Sequence, residues 1–446
     1  MTGIAWMRLT SLIIALAFTG TSHSIGQDPE QLRARLGSAD ARDRAMAACE
    51  LNEMGAAAVR VARDELLILL TDPSVVEGRL CRDYDRWGDG KNNESSPGRE
   101  AALALEELED EVLEPLLSVL SGTNSVGREN AALGLGLIEN QRAIPSLEGA
   151  LAGDSEASVR ARSAWALGMI ENPEAVRALA VAVRGDSDDK VRSQAAWALG
   201  MIEHSDGVDP LIAALTDGHE EVRSQAAWAL GMIEDTDAVE GLARVAGDAS
   251  AHVREQVAWA LGMIESAGGV QPLLELLQDP DAEVREQAAW GLGMIEDQSA
   301  VERLARAATD ASADVREQVA WALGMIESTR GVPPLLQLLQ DSDADVREQA
   351  AWGLGMVESR AGTEGLIPVL RSDDNADVRE QAAWALGMIE DPAAAEAILD
   401  ALEDDDEDVR EQAMWALSRV IDEGGFSGMD RKELAVKLRR AVRQKN

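Results

Sequence analysis

The chain has 446 residues, 46% of them hydrophobic, which is enough to bury a core and excludes a disordered acidic tail. Its formal net charge of −40 excludes a basic nucleic-acid groove and attraction to anionic membrane surfaces. The acidity either only keeps the protein soluble or favours a cationic or neutral partner, and both explanations stay open.

An export signal is predicted over residues 1–26. Arg8 is the only charged residue before a short apolar run at 9–18, and small residues follow up to a sequence at 24–26 that resembles a cleavage site. The run is too short to span a bilayer, and a buried first helix is the alternative. We therefore expect an exported protein, periplasmic or extracellular, with no stable membrane insertion once the signal is removed.

Residues 27–120 predict divergent N-terminal repeats with a polar loop inserted at 81–98. The chain has two cysteines, Cys49 and Cys81, which would form a disulfide in an oxidising compartment. Two unpaired thiols are the alternative.

The inserted loop also has the spacing of a calcium-binding loop. Trp87 occupies its position 5 and is a poor ligand, so a solvated loop is the other interpretation. The sequence shows no further metal site, and we expect no cofactor. The carboxylates at positions 1, 3, 7 and 12 of that motif are Asp83, Asp85, Asp89 and Glu94.

A tandem repeat fills residues 121–421, and tryptophan recurs in it at steps of 31 or 32 residues. Leu133, Leu103 and Cys49 hold the same place in weaker repeats nearer the N-terminus. The nine recurring tryptophans are Trp165, Trp197, Trp228, Trp259, Trp290, Trp321, Trp352, Trp384 and Trp415.

Each unit predicts two helices. Apolar residues at 270, 273, 274 and 277 follow the spacing of one helix face, and Asp281 is suited to cap a second helix from about Ala282 to Ile295. One such pair cannot bury its apolar faces, whereas stacked pairs can. The sequence therefore predicts an all-α fold, a right-handed α-solenoid of tandem two-helix repeats.

A helical wheel gives the second helix a core face made of Val284, Ala288, Leu292 and Ile295. It places Trp290 almost opposite that face, in one ridge with Glu286 and Met294. Exposed Trp and Met in a contiguous patch indicate binding. The alternative is that each tryptophan packs against the neighbouring repeat, for which the glycines at 200, 231, 262, 293 and 324 leave room. The other candidate binding residues are Glu255, Glu317, Glu348, Glu380, Met263 and Met325.

Arg285 and its equivalents lie at the edge of the predicted core. The nearby Asp281 favours a ladder of Asp–Arg bonds within and between repeats, and the geometry of such pairs can be bidentate. We expect this ladder to be structural.

The unit "D-x-x-V-R-x-Q-A-A-W-A-L-G-M-I-E" resembles the bacterial HEAT-like repeats first described in phycobilisome bilin lyases, over roughly residues 99–421. The resemblance implies that the second helix of each pair lines a concave surface and binds through positions such as Glu286, Gln287, Trp290 and Met294. Another relative, deoxyhypusine hydroxylase, holds iron through several His-Glu pairs. This chain has only His219-Glu220, so we reject that activity.

Residues 422–446 predict a basic C-terminal helix that caps the array, and a docking tail is the alternative. The sequence contains no phosphate-binding loop, catalytic Ser/His/Asp set or Cys/His cluster, so catalysis is not expected.

Taken together, these features predict an exported, non-catalytic scaffold that binds a protein or peptide, cationic or repetitive, along its Glu/Gln/Trp/Met face. The resemblance allows a lyase or chaperone for a planar ligand instead. A glycan-binding protein with Trp platforms is a further alternative.

Overall fold

The computed structural model describes residues 28–78, 80 and 94–422. The predicted export signal, Cys81, the calcium-loop aspartates and the basic segment after residue 422 lie outside the described residues, as does the side chain of Glu94. The chain divides into two compact units, residues 1–143 and 144–446.

Over its described residues, the first unit consists of short helices and one minimal pair of strands, in which Val76 pairs with Ser95 and Glu77 with Glu94 in antiparallel register. Cys49, Leu103 and Leu133, which hold the tryptophan position in this unit, are all buried. Cys49 is disulfide-bonded, and its pairing with Cys81 stays a prediction. The elements are α1 Pro29–Arg35, α2 Ala41–Glu53, α3 Ala56–Val61, α4 Arg63–Leu69, β1 Val76–Glu77, β2 Glu94–Ser95, α5 Pro97–Glu106, α6 Leu113–Leu120 and α7 Ser125–Leu137.

The second unit consists, over its described residues, of nine helix pairs. The first helices are α8 Ile144–Gly153, α10 Val176–Gly185, α12 Val208–Ala214, α14 Val239–Arg244, α16 Val270–Leu276, α18 Val301–Ala307, α20 Val332–Leu338, α22 Thr363–Ser372 and α24 Ala395–Ala401. The second helices are α9 Ala157–Met169, α11 Asp189–Ile202, α13 Glu220–Ile233, α15 Ala251–Met263, α17 Ala282–Ile295, α19 Ala313–Met325, α21 Ala344–Val357, α23 Ala376–Ile389 and α25 Glu407–Asp422.

Within the second unit, each second helix packs on its own first helix and on the adjacent second helices, so the second helices form one continuous layer. This arrangement confirms the predicted all-α solenoid. No helix in the described part of the chain combines the length and the apolar character needed to cross a membrane.

Helix α17 shows why the repeat folds as it does. Asp281 caps it as predicted, because its carboxylate accepts a hydrogen bond from the Glu283 amide at 3.0 Å. Val284, Ala288 and Leu292 are fully buried on the predicted core face. Ile295, which we also placed in the core, is only half-buried, since it is the last residue of the helix.

The helix ends at Glu296, which adopts a left-handed conformation with φ 56°. Glutamate is an unusual residue for this conformation, in which a side chain costs about 1 kcal/mol. The sequence did not predict it. The same conformation recurs at the end of seven other second helices and of α7, at Glu139, Glu171, Glu203, Glu234, Glu265, Glu327, Glu358 and Glu390.

Arginine–aspartate bonds join successive repeats. Arg285 donates from Nε and Nη2 to the two carboxylate oxygens of Asp310 in the next repeat, at 2.7 and 2.8 Å. Its Nη1 donates to the backbone carbonyl of Asp279 in its own repeat at 2.8 Å. The predicted ladder therefore exists, but its carboxylate is that of Asp310, which is the equivalent of Asp279 in the next repeat. Asp281, which we expected to take part, caps α17 instead.

The same bidentate bond occurs eight times in the second unit. The arginine lowers the pKa of each partner carboxylate, against the opposing effect of burial. The pairs are Arg160–Asp186, Arg192–Asp217, Arg223–Asp248, Arg254–Asp279, Arg285–Asp310, Arg316–Asp341, Arg347–Asp373 and Arg379–Asp404.

We predict that Arg285→Ala lowers the free energy of unfolding by about 2 kcal/mol, because it leaves the Asp310 carboxylate, only 13% exposed, without its counter-ion. Urea unfolding at pH 7 measures this loss. The control is Arg330→Ala, whose partner Glu302 is 71% exposed, and it should cost less than about 0.5 kcal/mol. Equal losses of unfolding free energy in the two variants would show that the ladder bond stabilises the protein no more than an exposed ion pair does.

Candidate partner-binding face

The predicted ridge residues lie on the second helices, and most of them are half-buried. Glu286, Trp290 and Met294 are all half-buried. The two ends of the row of tryptophans differ: Trp165 is 6% exposed and Trp415 is 37% exposed. The seven tryptophans between these two are half-buried. The remaining ridge residues, Met263, Met325, Glu255, Glu317, Glu348 and Glu380, are half-buried as well.

One part of each tryptophan ring packs against a glycine in the preceding repeat. A Cβ atom built on Gly293 would lie 2.5 Å from Cζ3 of Trp321 and 3.0 Å from Cα of Ala322, which is too close for any side chain. The same approach recurs at every joint from Trp197 to Trp415. The glycines are Gly168, Gly200, Gly231, Gly262, Gly293, Gly324, Gly355 and Gly387.

The two interpretations of the tryptophans are therefore compatible. The glycine contact confirms that the rings seal the joint between repeats, as the alternative predicted. The exposure that remains leaves part of each ring between Trp197 and Trp384 on the surface. Because the buried part fixes the ring, the open part is presented in one orientation.

We predict that Gly293→Ala destabilises the protein by about 2 kcal/mol, since the new methyl group must displace Trp321 or separate two helices. The matched control is Gly149→Ala in helix α8, where nothing lies within 4 Å of the new atom. That change should stabilise by about 0.5–1 kcal/mol through helix propensity. Thermal unfolding of both variants gives the comparison, and a neutral Gly293→Ala would contradict the sealed joint.

Four of the ridge glutamates form a row of carboxylates for which the described residues supply no cationic partner: Glu286, Glu317, Glu348 and Glu380. Burial raises the pKa of Glu286, and the carboxylates of Asp314, Glu283 and Glu255 raise it further. The pKa values of Glu317, Glu348 and Glu380 are raised for the same reasons. Among the described residues, no Lys, Arg or His forms an ion pair with these four glutamates. The row is therefore a surface of uncompensated negative charge.

We predict that Glu317→Gln raises the free energy of unfolding at pH 7 by about 0.5 kcal/mol, because it removes a charge that is disfavoured by burial and by the neighbouring carboxylates. A raised carboxylate pKa means that ionised Glu317 opposes folding above that pKa and ceases to do so as the pH falls below it. The gain should thus vanish below about pH 4. Denaturation of wild type, Glu317→Gln and the exposed control Glu275→Gln at both pH values tests this; a gain that is independent of pH would indicate packing instead.

The charge of the ridge changes along the array. Ser193 and Ser224 hold the place that glutamate takes from Glu255 onward. In the first repeat of this unit, Arg162 lies over the Trp165 ring, 5.4 Å from its centroid. The acidic part of the ridge is thus confined to the later repeats. The candidate glutamates predicted from the sequence likewise begin at Glu255, where "VRSQAAW" changes to "VREQ".

The sequence model of the HEAT-repeat family matches this chain repeatedly. The matches cover residues 98–167, 113–200, 149–219, 178–262, 208–279, 270–355 and 363–427. The chain belongs to the HEAT-repeat family. This confirms the family that the repeat motif resembled. No curated protein matches the sequence.

Solved structures show the same fold. Yeast importin-β (Kap95p) is 15% identical, with a TM-score of 0.55 over 89% of this chain and 61% of that one. A structure of Kap95p with RanGDP gives 15% identity and a TM-score of 0.57, over 93% of this chain and 62% of that one. This HEAT-repeat chain thus spans about six tenths of those proteins. The complex of CpcE and CpcF of phycocyanin lyase from Nostoc sp. is 24% identical over 60% of this chain and 92% of that one, with a TM-score of 0.29.

No cluster of three or more His, Cys, Asp or Glu side chains in the described ranges has the geometry of a metal site. His219, the one histidine followed by a glutamate, lies 3.5 Å from Asp189 on the surface. His252 contacts Glu255, 3.3 Å away.

Proposed function

We propose that this HEAT-repeat chain is a non-catalytic scaffold that binds a protein or peptide along the ridge of Glu, Gln, Trp and Met on its second helices. The observation that carries the proposal is the row of half-buried tryptophans between Trp197 and Trp384. Each ring is fixed by a glycine contact on one side, so binding costs little conformational entropy. Aromatic side chains held in this way are typical of binding hot spots.

Two further observations support a macromolecular partner. The ridge continues over many repeats, which suits a long or repetitive ligand and allows avidity. Structures that share this fold include importin-β complexes with Nup1 and RanGDP, which are protein partners. The sequence at residues 1–26 adds export to the proposal, and the mature chain would begin at Gln27.

A charge-reversal comparison tests the proposal. In the ridge variant, Glu286, Glu317 and Glu348 are each replaced by Lys. In the control, the exposed first-helix residues Glu240, Glu275 and Glu302 are replaced by Lys, which changes the net charge equally. Both variants should retain helical circular dichroism.

We predict that the protein captured by the wild-type chain from the envelope fraction of its source organism is lost with the ridge variant and retained with the control. The physical reason is that only the ridge glutamates lie beside half-open tryptophans. Retention by the ridge variant, loss from the control, or no capture by the wild-type chain would each contradict the proposal.

A further inference from the structure

The glycine contacts set the spacing between equivalent ridge positions. A Cβ atom built on Gly262 would lie 2.7 Å from Cα of Gly291 in the next repeat. With a carbon–carbon bond of about 1.5 Å and helical Cα radii of about 2.3 Å, the two helix axes approach to within about 9 Å. Taking this axis distance as the spacing between repeats, equivalent tryptophans and glutamates recur about every 9 Å along the layer.

This spacing matches one kind of extended chain. Three residues of a polyproline II helix span about 9.3 Å. Two residues of a β-strand span only about 6.8 Å. A peptide in the polyproline II conformation would therefore bring every third side chain to an equivalent position on successive repeats.

The first and last tryptophans of the row, Trp165 and Trp415, indicate which kind of ligand side chain would pack on the rings between them. Arg162 lies over Trp165, and Arg419 lies over Trp415 with its guanidinium carbon 5.9 Å from the ring centroid. The places of these arginines are taken by Gln and Met in the repeat of Trp290. Within the described chain, no cation of the protein itself lies over any ring from Trp197 to Trp384. The inner rings could therefore accept a cation–π contact from a ligand, as the two end rings accept one from the protein's own arginines.

The acidic part of the ridge coincides with five of these open rings. Each of Trp259, Trp290, Trp321, Trp352 and Trp384 lies one helical turn after a glutamate: Glu255, Glu286, Glu317, Glu348 and Glu380. A ring face and a carboxylate together favour a guanidinium or ammonium group over a neutral one.

Building on the proposed function, we propose that these five repeats bind an extended, proline-rich polypeptide segment of about 13 residues with Arg or Lys at every third position. Each cation lies against one tryptophan and beside one glutamate. The serines at 193 and 224 mark the N-terminal limit of the strongly binding part of the ridge.

Peptides of identical composition test the spacing. One is (Arg-Pro-Pro)5, and the other has the same five arginines and ten prolines with arginine at every second position. Both are titrated into the full chain by calorimetry at about 0.15 M salt, where non-specific attraction between exposed charges is largely screened. We expect the first peptide to bind at least about ten-fold more tightly.

Two variants assign the binding to the ridge. Replacing Glu286, Glu317 and Glu348 by Gln should weaken binding of (Arg-Pro-Pro)5 about ten-fold or more, whereas the same change at Glu240, Glu275 and Glu302 should leave it within about two-fold. Equal affinity for the two peptides, or equal effects of the two variants, would overturn the inference in favour of general charge attraction. If neither peptide binds while the ridge still captures its partner, this inference fails and the proposed function stands.

Discussion

The bidentate bond from an arginine to the aspartate of the next repeat is the interaction on which the rest of the array depends. One guanidinium, that of Arg285, joins the carboxylate of Asp310 to the carbonyl of Asp279, so each bond fixes both the loop of its own repeat and the position of the next one. Since the fork geometry tolerates little rotation, it sets how neighbouring second helices face each other. Apolar contacts alone would hold the repeats together without fixing that angle.

The fixed angle explains why the tryptophans have two roles. A ring such as Trp321 can reach the backbone of Gly293 only when the two helices approach closely, and this contact requires glycine. The part of the ring that remains outside the joint lies beside glutamates that repel one another. The packing between repeats thus holds the aromatic rings rigid and keeps the negatively charged glutamates beside them. A cationic partner would relieve that repulsion, which links the stability of the repeats to binding.

Much of this could be predicted from the sequence because the repeat displays its own pattern. The helix bounds, the Asp281 cap, the buried Val284, Ala288 and Leu292, and the glycines at the joints all follow from periodicity and side-chain size. The partner of Arg285 could not be predicted, because Asp310 lies in the next repeat and the bond depends on how that repeat is placed. The left-handed Glu296 was missed because glutamate is not a usual signal for that conformation. How much of Trp290 remains exposed depends on the angle between repeats, which the sequence does not specify.

The most direct test of the central claim, that the tryptophans from Trp197 to Trp384 both seal a joint and stay open to a partner, is acrylamide quenching of fluorescence. Trp6 and Trp87 are replaced by Phe in the full chain, so that all nine remaining emitters hold the repeat position. The account predicts emission of intermediate wavelength, with quenching well below that of a free indole but clearly present, and protection on addition of (Arg-Pro-Pro)5. Blue-shifted emission that acrylamide does not quench would mean that the tryptophans only seal the array, and it would contradict the account.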